Sequence, residues 1–325
     1  MRPPGFWRNS PDNPGWQARV LAPLAALYAR ATARRVAGSG YVPGCPLISV
    51  GNLNVGGTGK TPVVMDLIAR MGEGVHVVSR GYGGSAEGPL QVEERRHSAD
   101  QVGDEPLLLS AFAPTWVAKD RVAGVQAAEA AGARAIVLDD GHQTAGLARS
   151  LSLVVVDAEM GFGNGRVMPA GPLREPVAIG LARADLVVLI GGVEARARFL
   201  ALWGGAVPVP VVEASLEVLE TGMDWAGLRV LAFAGIGRPE KFFTTLRGLG
   251  AEVLRAEALD DHQPLSDALM KRLEVEAGAL SAQLVTTEKD AVRLPASFRQ
   301  KVLTLPVRLR VEDDAALVAA LEALD

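Results

Sequence analysis

Residues 47–62, LISVGNLNVGGTGKTP, set a short apolar run ahead of a glycine-rich loop, with helical spacing resuming behind it. A strand, a loop and a helix in that order form the frame in which backbone N–H groups converge on a phosphate at a helix N-terminus. The spacing G-x-x-x-x-G-K-[ST] is met at Gly59-Lys60-Thr61, but Asn54 stands where the first glycine belongs. Asn tolerates the left-handed conformation better than most residues, so Asn54 is expected to take that glycine's place. Gly56, Gly57 and Gly59 are expected to supply the positive φ angles of the loop. The nucleotide cradle is therefore predicted over Asn54, Val55, Gly56, Gly57, Thr58, Gly59, Lys60 and Thr61. In such a loop the lysine reaches the β- and γ-phosphates and the threonine hydroxyl ligates Mg²⁺.

Further apolar runs at 74–79, 133–139, 150–157 and 184–190 alternate with helical segments, and several are continuous enough for burial on both faces. This predicts an α/β fold: a P-loop NTPase-like parallel sheet with helices on both faces, plus a smaller C-terminal α/β domain. VPVPVVEASLEVLE (207–220) reads as an extended, proline-bearing connector, after which strand–turn–helix–strand restarts at 228–256. The domains are drawn at 1–215 and 216–325, with Asp313–Leu324 as a closing helix.

Composition narrows the partners. The formal net charge is −4, which gives no support to a nucleic-acid partner. The single cysteine, Cys45, allows no disulfide within the chain, fits a reducing compartment and reads as a small buried side chain near a strand start. No apolar run reaches the roughly 18–20 residues of a membrane span, and the N-terminus lacks a signal-peptide core, so an intracellular protein is expected. No protein partner is predicted. Between Asp12 and Asp66 there is no acidic residue, while Arg19, Arg30, Arg34 and Arg35 fall in that interval. A helix over about 15–36 gathers Trp16, Val20, Leu21, Leu24, Leu27 and Tyr28 on one arc, with Pro23 expected to kink it or start a new helix. This pattern suits a helix packed on its own domain and equally a basic helix lying on anionic lipid.

Asp139-Asp140 end an apolar strand; they read as a turn before Gly141 or, beside a phosphate loop, as Mg²⁺ ligands. Asp104 in VGDEP and His262 in DDHQP are candidates for a carboxylate–imidazole base, each with a plainer reading as a helix cap and a loop histidine. Asn164, Arg166, Arg174 and Glu175 lie between strands, where α/β sites usually sit. These features define an NTP-using protein: a kinase, or a regulatory NTPase working by conformational switching.

Taken in order, GNLNVGGTGKTP, SRGYGG, VGDEP, LDDGHQ, GFGNGRVMPAGPLREP, FAGIGRPEKFF, DDHQP and TTEKDAVRL resemble the tetraacyldisaccharide 4′-kinase (lipid A 4′-kinase) family over nearly the whole chain. The resemblance implies transfer of the γ-phosphate of ATP, with Mg²⁺, to the 4′-hydroxyl of an acylated disaccharide 1-phosphate. It implies a peripheral enzyme on the cytoplasmic face of the inner membrane, and so favours the interfacial reading of the N-terminal helix. It further implies that Asp104 and His262 form the base dyad. Asp139, Asp140 and Glu175 match acidic positions tied to Mg²⁺ and catalysis, and Tyr82, Arg121 and Arg174 match substrate or phosphate contacts. The family's DDGFQH is DDGHQT here, so its histidine is Thr144, and His142 is expected to be a surface loop residue rather than a substitute for it.

Overall fold

The computed structural model describes residues 3–38, 40–260 and 263–324. His262 lies outside the described residues. The larger unit contains β1 (Leu47–Gly51), β2 (Val75–Ser79), β3 (Leu90–Gln91), β4 (Thr115–Val117), β5 (Ala135–Asp139), β6 (Leu151–Asp157), β7 (Leu186–Ile190) and β8 (Val211–Val218). Its helices are α1 (Trp16–Val36), α2 (Lys60–Met71), α3 (Ala99–Val102), α4 (Asp104–Leu109), α5 (Arg121–Ala130), α6 (Val177–Leu181) and α7 (Val193–Trp203). The smaller unit follows with β9 (Arg229–Ala234), α8 (Pro239–Gly248), β10 (Glu252–Ala258), α9 (Asp267–Leu280), β11 (Gln283–Thr287), α10 (Glu288–Ala291), α11 (Ala296–Arg299) and β12 (Val302–Leu305). The chain then returns to the larger sheet through β13 (Val307–Val311) and α12 (Ala315–Glu322).

The strand order is β13-β8-β7-β6-β1-β5-β2-β4-β3 in the larger sheet and β10-β9-β11-β12 in the smaller. From β8 to β4 every pairing of the larger sheet is parallel, and only the edge strands β13 and β3 run antiparallel. The central strands are buried on both faces because alternate residues serve different cores. Ile48, Val50, Val137, Leu153 and Val188 pack with α2 and α12, whereas Leu47, Ile136, Leu138, Val154 and Leu189 face α5, α1 and α7.

Two expectations change here. VPVPVVEASLEVLE is not a connector: it contains β8, which pairs with β7 on one side and β13 on the other. The division at 215 falls inside that strand. Residues 307–324 also belong to the larger unit, where Leu317 is 2% exposed in the core shared with α2. A five-residue strand and a short helix cut off from their sheet by residues 219–306 carry no local signal of where they pair.

The N-terminal helix splits its arc. Ala18 and Ala25 are buried, and Leu21, Tyr28 and Ala29 pack beside them on the larger core. Trp16, Val20, Leu24 and Leu27 point outward, 55–70% exposed, on the next face round. Pro23 lies inside one continuous helix and starts no new one.

Candidate active site

In a parallel sheet every strand delivers its following loop to the same edge, so the loops after β1, β2, β5 and β6 meet there. Gly59 caps α2 in the left-handed conformation at φ 93°, and Gly56 has φ 105°. Open space surrounds the place of an added Cβ at Gly56 and Gly57, leaving the backbone bare toward solvent. Asn54 does not adopt the left-handed conformation; among the described residues, Asp140 and Ser281 are the non-glycine positions with positive φ. Asn54 is instead a brace. Its Nδ2 donates to the Gly161 carbonyl at 2.9 Å, and its backbone bridges Leu173 of the AGPLREP segment. The Val55 N–H to Pro172 carbonyl bond, 2.8 Å, and the Arg174 N–H to Leu53 carbonyl bond, 2.7 Å, complete that splint. The loop is rigid at its base and open at its tip.

Lys60 and Thr61 begin α2, and Lys60 Nζ lies 3.4 Å from Asp140 Oδ1. Asp140 has φ 53°, a conformation costing a non-glycine residue on the order of 1 kcal/mol. That turn swings its carboxylate outward, where Arg174 Nη1 reaches both oxygens at 3.0 and 2.9 Å. Asp139 points inward, 1% exposed. Its Oδ2 accepts from Ser79 Oγ at 2.9 Å, while its Oδ1 is buried with no hydrogen-bond partner among the described residues. Burial, reinforced by the neighbouring Glu105 and Asp140 charges, pushes the Asp139 carboxyl up to about 6. Burial pushes Asp140 upward too, but Lys60, Arg174 and Arg121 outweigh it and hold that carboxyl below its ordinary value.

Other expected members lie further from the chemistry. Arg121 is buried, and its guanidinium donates to the Val78 and Asp139 carbonyls at 2.9 Å each, tying the ends of β2 and β5 together. Glu175 is 3% exposed and meets Arg183 Nη2 with both oxygens, at 2.9 and 2.8 Å, and Gln143 Nε2 at 2.9 Å. Among the described residues no three carboxylate, imidazole or thiolate groups are gathered as metal ligands, and Glu175 is held by Arg183 and Gln143. Through Gln143, whose Oε1 accepts from Arg174 at 3.3 Å, Glu175 orients the arginine that faces Asp140. Asn164 is fully buried and holds Phe6 and Ala170, a structural knot.

His142 is not a surface residue. It is fully buried, with Nε2 at 2.9 Å from the Gly180 carbonyl. Burial and the Arg183 charge lower its pKa to about 4, against the pull of Glu175, so the ring is neutral at pH 7. Its Cβ lies where a side chain on Gly51 would stand, only 2.4 Å away, which explains that glycine.

Asp104 opens α4 after Gly103, and its Oδ1 accepts from the Glu105 N–H at 3.0 Å. The SRGYGG turn packs backbone to backbone on this segment: a Cβ on Gly84 would meet the Gln101 carbonyl at 2.6 Å. Tyr82 stands on that turn, 74% exposed. Lys289, from the smaller unit, lies 3.1 Å from Glu105 Oε1 and 3.8 Å from Asp104 Oδ2. On the other flank Arg238 and Lys241 pair with Asp157, the last residue of β6, and with Glu159 just past it. The smaller unit thus bridges the same sheet edge that carries the glycine loop. Ser79, Gln143 and Lys289 carried no individual signal in the sequence, although Lys289 lies in the recognisable TTEKD.

Comparison with known proteins agrees with this geometry. The family model LpxK, tetraacyldisaccharide-1-P 4′-kinase, matches residues 17–324. The tetraacyldisaccharide 4′-kinase of Dinoroseobacter shibae is 63% identical over 100% of this chain and 98% of its own length. That of a Jannaschia species is 57% identical, covering 99% and 98%. The crystal structure of LpxK from Aquifex aeolicus in complex with ATP superposes with a TM-score of 0.76 at 26% identity, covering 94% of this chain and 99% of that one. With the glycine loop, the paired aspartates and a family match spanning both units, the chain belongs to the tetraacyldisaccharide-1-P 4′-kinase family.

Proposed function

We propose that the protein is a kinase that transfers the γ-phosphate of ATP to the 4′-hydroxyl of a tetraacyldisaccharide 1-phosphate in lipid A biosynthesis. The observation that carries this reading is the meeting of Lys60 with Asp140 beside buried Asp139, a phosphate-binding cation and two acids at one sheet edge. The loop amides and Lys60 hold the phosphates of ATP, and Arg174 moves from Asp140 to the transferring group. Asp139, whose Oδ1 has no partner among the described residues, Asp140 and the Thr61 hydroxyl would hold Mg²⁺. Bound there, Mg²⁺ supplies neutralisation of the phosphate charge.

On the acceptor side His262 takes the 4′-hydroxyl proton as the oxygen bonds to Pγ and the β–γ bridging bond breaks to release ADP. Asp104 orients and stabilises the imidazolium. Tyr82 contacts the acceptor from its exposed turn. The outward row Trp16, Val20, Leu24 and Leu27, beside exposed Arg19 and Arg30, supports peripheral attachment to the cytoplasmic face of the inner membrane. Among the described residues no helix is long and apolar enough to cross a membrane. The test is ATP turnover with and without tetraacyldisaccharide 1-phosphate, with the product analysed for a 4′-phosphate. Turnover that depends on the lipid and yields that product is expected. Equal hydrolysis without lipid would instead assign a switching NTPase.

A further inference from the structure

Glu175 and Arg183 stand on either side of the short helix α6, and their side chains meet. Arg183 Nη2 donates to both Glu175 oxygens, at 2.9 and 2.8 Å, and its Nη1 to the Ile179 carbonyl at 3.1 Å. The helix itself is held close to the loop after β1: His142 Nε2 lies 2.9 Å from the Gly180 carbonyl, and a Cβ on Gly180 would stand 2.4 Å from Leu53 Cδ2. Next in line is Gln143, whose amide can face only one way. Both neighbours of its nitrogen are acceptors, the Asn52 carbonyl at 2.9 Å and Glu175 Oε1 at 2.9 Å. Its oxygen is thereby turned to Arg174 Nη1 at 3.3 Å, and the same Nη1 reaches both oxygens of Asp140. Lys60 Nζ lies 3.4 Å from that carboxylate, so one line of contacts runs from Arg183 to the lysine of the glycine loop.

The far end of that line decides where its charge goes. Glu175 is 3% exposed, and a carboxylate so far from water needs a cation beside it. Arg149 is near, but its guanidinium is committed to the Gly141 carbonyl at 3.1 Å and to the Thr144 carbonyl. Arg174 is separated from Glu175 by no more than the Gln143 amide. Without Arg183, the buried carboxylate would compete with Asp140 for the Arg174 guanidinium. With Arg183 in place Glu175 is satisfied, and Arg174 stays on the side of Lys60. We propose that Arg183 is a positioning residue for phosphoryl transfer: by engaging Glu175 it keeps Gln143 and Arg174 turned toward the Lys60–Asp140 site. This rests on the reading of Arg174 as a contact of the transferring group given above.

The experiment uses the full chain with Mg²⁺, ATP and tetraacyldisaccharide 1-phosphate in mixed micelles, and follows kcat, KM for ATP and the melting temperature together. Arg183→Ala is expected to lower kcat by about 10- to 50-fold with KM for ATP within about threefold, the pattern of a group misplaced in the transition state. Its melting temperature falls as well, because a buried carboxylate loses its cation. An Arg174→Ala background separates the two effects. There Arg183→Ala should cost less than about twofold in kcat, while the fall in melting temperature stays the same. Arg183→Lys, which keeps a charge on Glu175, is expected to recover kcat to within about threefold of wild type. Arg183→Gln repeats the same cycle should the alanine variant be too unstable to purify. If Arg174→Ala itself keeps the wild-type rate, the reading of Arg174 fails. If Arg174→Ala is slow but the Arg183 variants run at full rate, or multiply the Arg174→Ala loss, the positioning proposal fails by itself. Arg183→Lys as slow as Arg183→Ala would also overturn it.

Discussion

Asp139 and Asp140 are chemically identical neighbours, and one backbone angle separates their behaviour. The φ of 53° at Asp140 sends its carboxylate out to Lys60 and Arg174, while Asp139 stays inside with Ser79. Their titrations diverge accordingly, Asp139 upward to about 6 and Asp140 downward. A raised carboxyl binds its proton more tightly when folded, so its contribution is full below the ordinary value of 3.8 and is lost as pH rises through about 6. Above that, the buried charge costs the metal-free protein on the order of 2 to 3 kcal/mol. Asp139→Asn should therefore raise the melting temperature at pH 8 but not at pH 4, in chelator and without nucleotide, while abolishing phosphoryl transfer. Equal gains at both pH values would rule out charge burial as the cause. The two acids were visible in the sequence as a strand-ending pair; which one turns outward was not, because that choice is made by ion partners 34 and 80 residues away.

At the level of elements, α1 shows what periodicity can and cannot tell. The arc read from the sequence straddles two faces, and the protein's own core claims Ala18 and Ala25 through close approach of small side chains. The larger apolar residues are left outside. Burying Trp16, Val20, Leu24 and Leu27 in a lipid interface would contribute on the order of 4 to 6 kcal/mol, since each keeps more than half its surface exposed. Trp16→Ser with Leu24→Ser should then weaken co-sedimentation with anionic liposomes by at least about tenfold at unchanged melting temperature. Undiminished binding would place membrane contact elsewhere. Removing the whole helix is a poorer test, because it would uncover the core that Ala18 and Ala25 close. β8 teaches the converse: its prolines at 208 and 210 precede the strand and do not interrupt it, and its sequence resembles a connector because its C-terminal half, residues 215–218, lies beyond β7, pairs with β13 and is half-buried or exposed.

For the molecule as a whole, the tail makes the larger unit depend on the end of the chain. Leu317 sits in the core beneath α2, the helix that opens with Lys60. Leu317→Ala should destabilise that unit by about 2–4 kcal/mol, with only a small change in the smaller unit's own transition. Followed by hydrogen exchange, protection should fall in β1, β8 and α2 but not in β9 and β11; loss confined to the smaller unit would contradict this topology. The phosphate loop, the α/β class and the buried strands were legible in the sequence, because glycine placement and apolar runs are local consequences of backbone sterics and burial. The tertiary structure alone decided that Asn54 braces the loop, that His142 is buried and neutral, that Arg121 ties the ends of β2 and β5 together, that Glu175 pairs with Arg183, and that Lys289 meets Asp104. Each of those depends on which distant backbone or charge comes within a few ångströms, a distance that sequence separation does not encode.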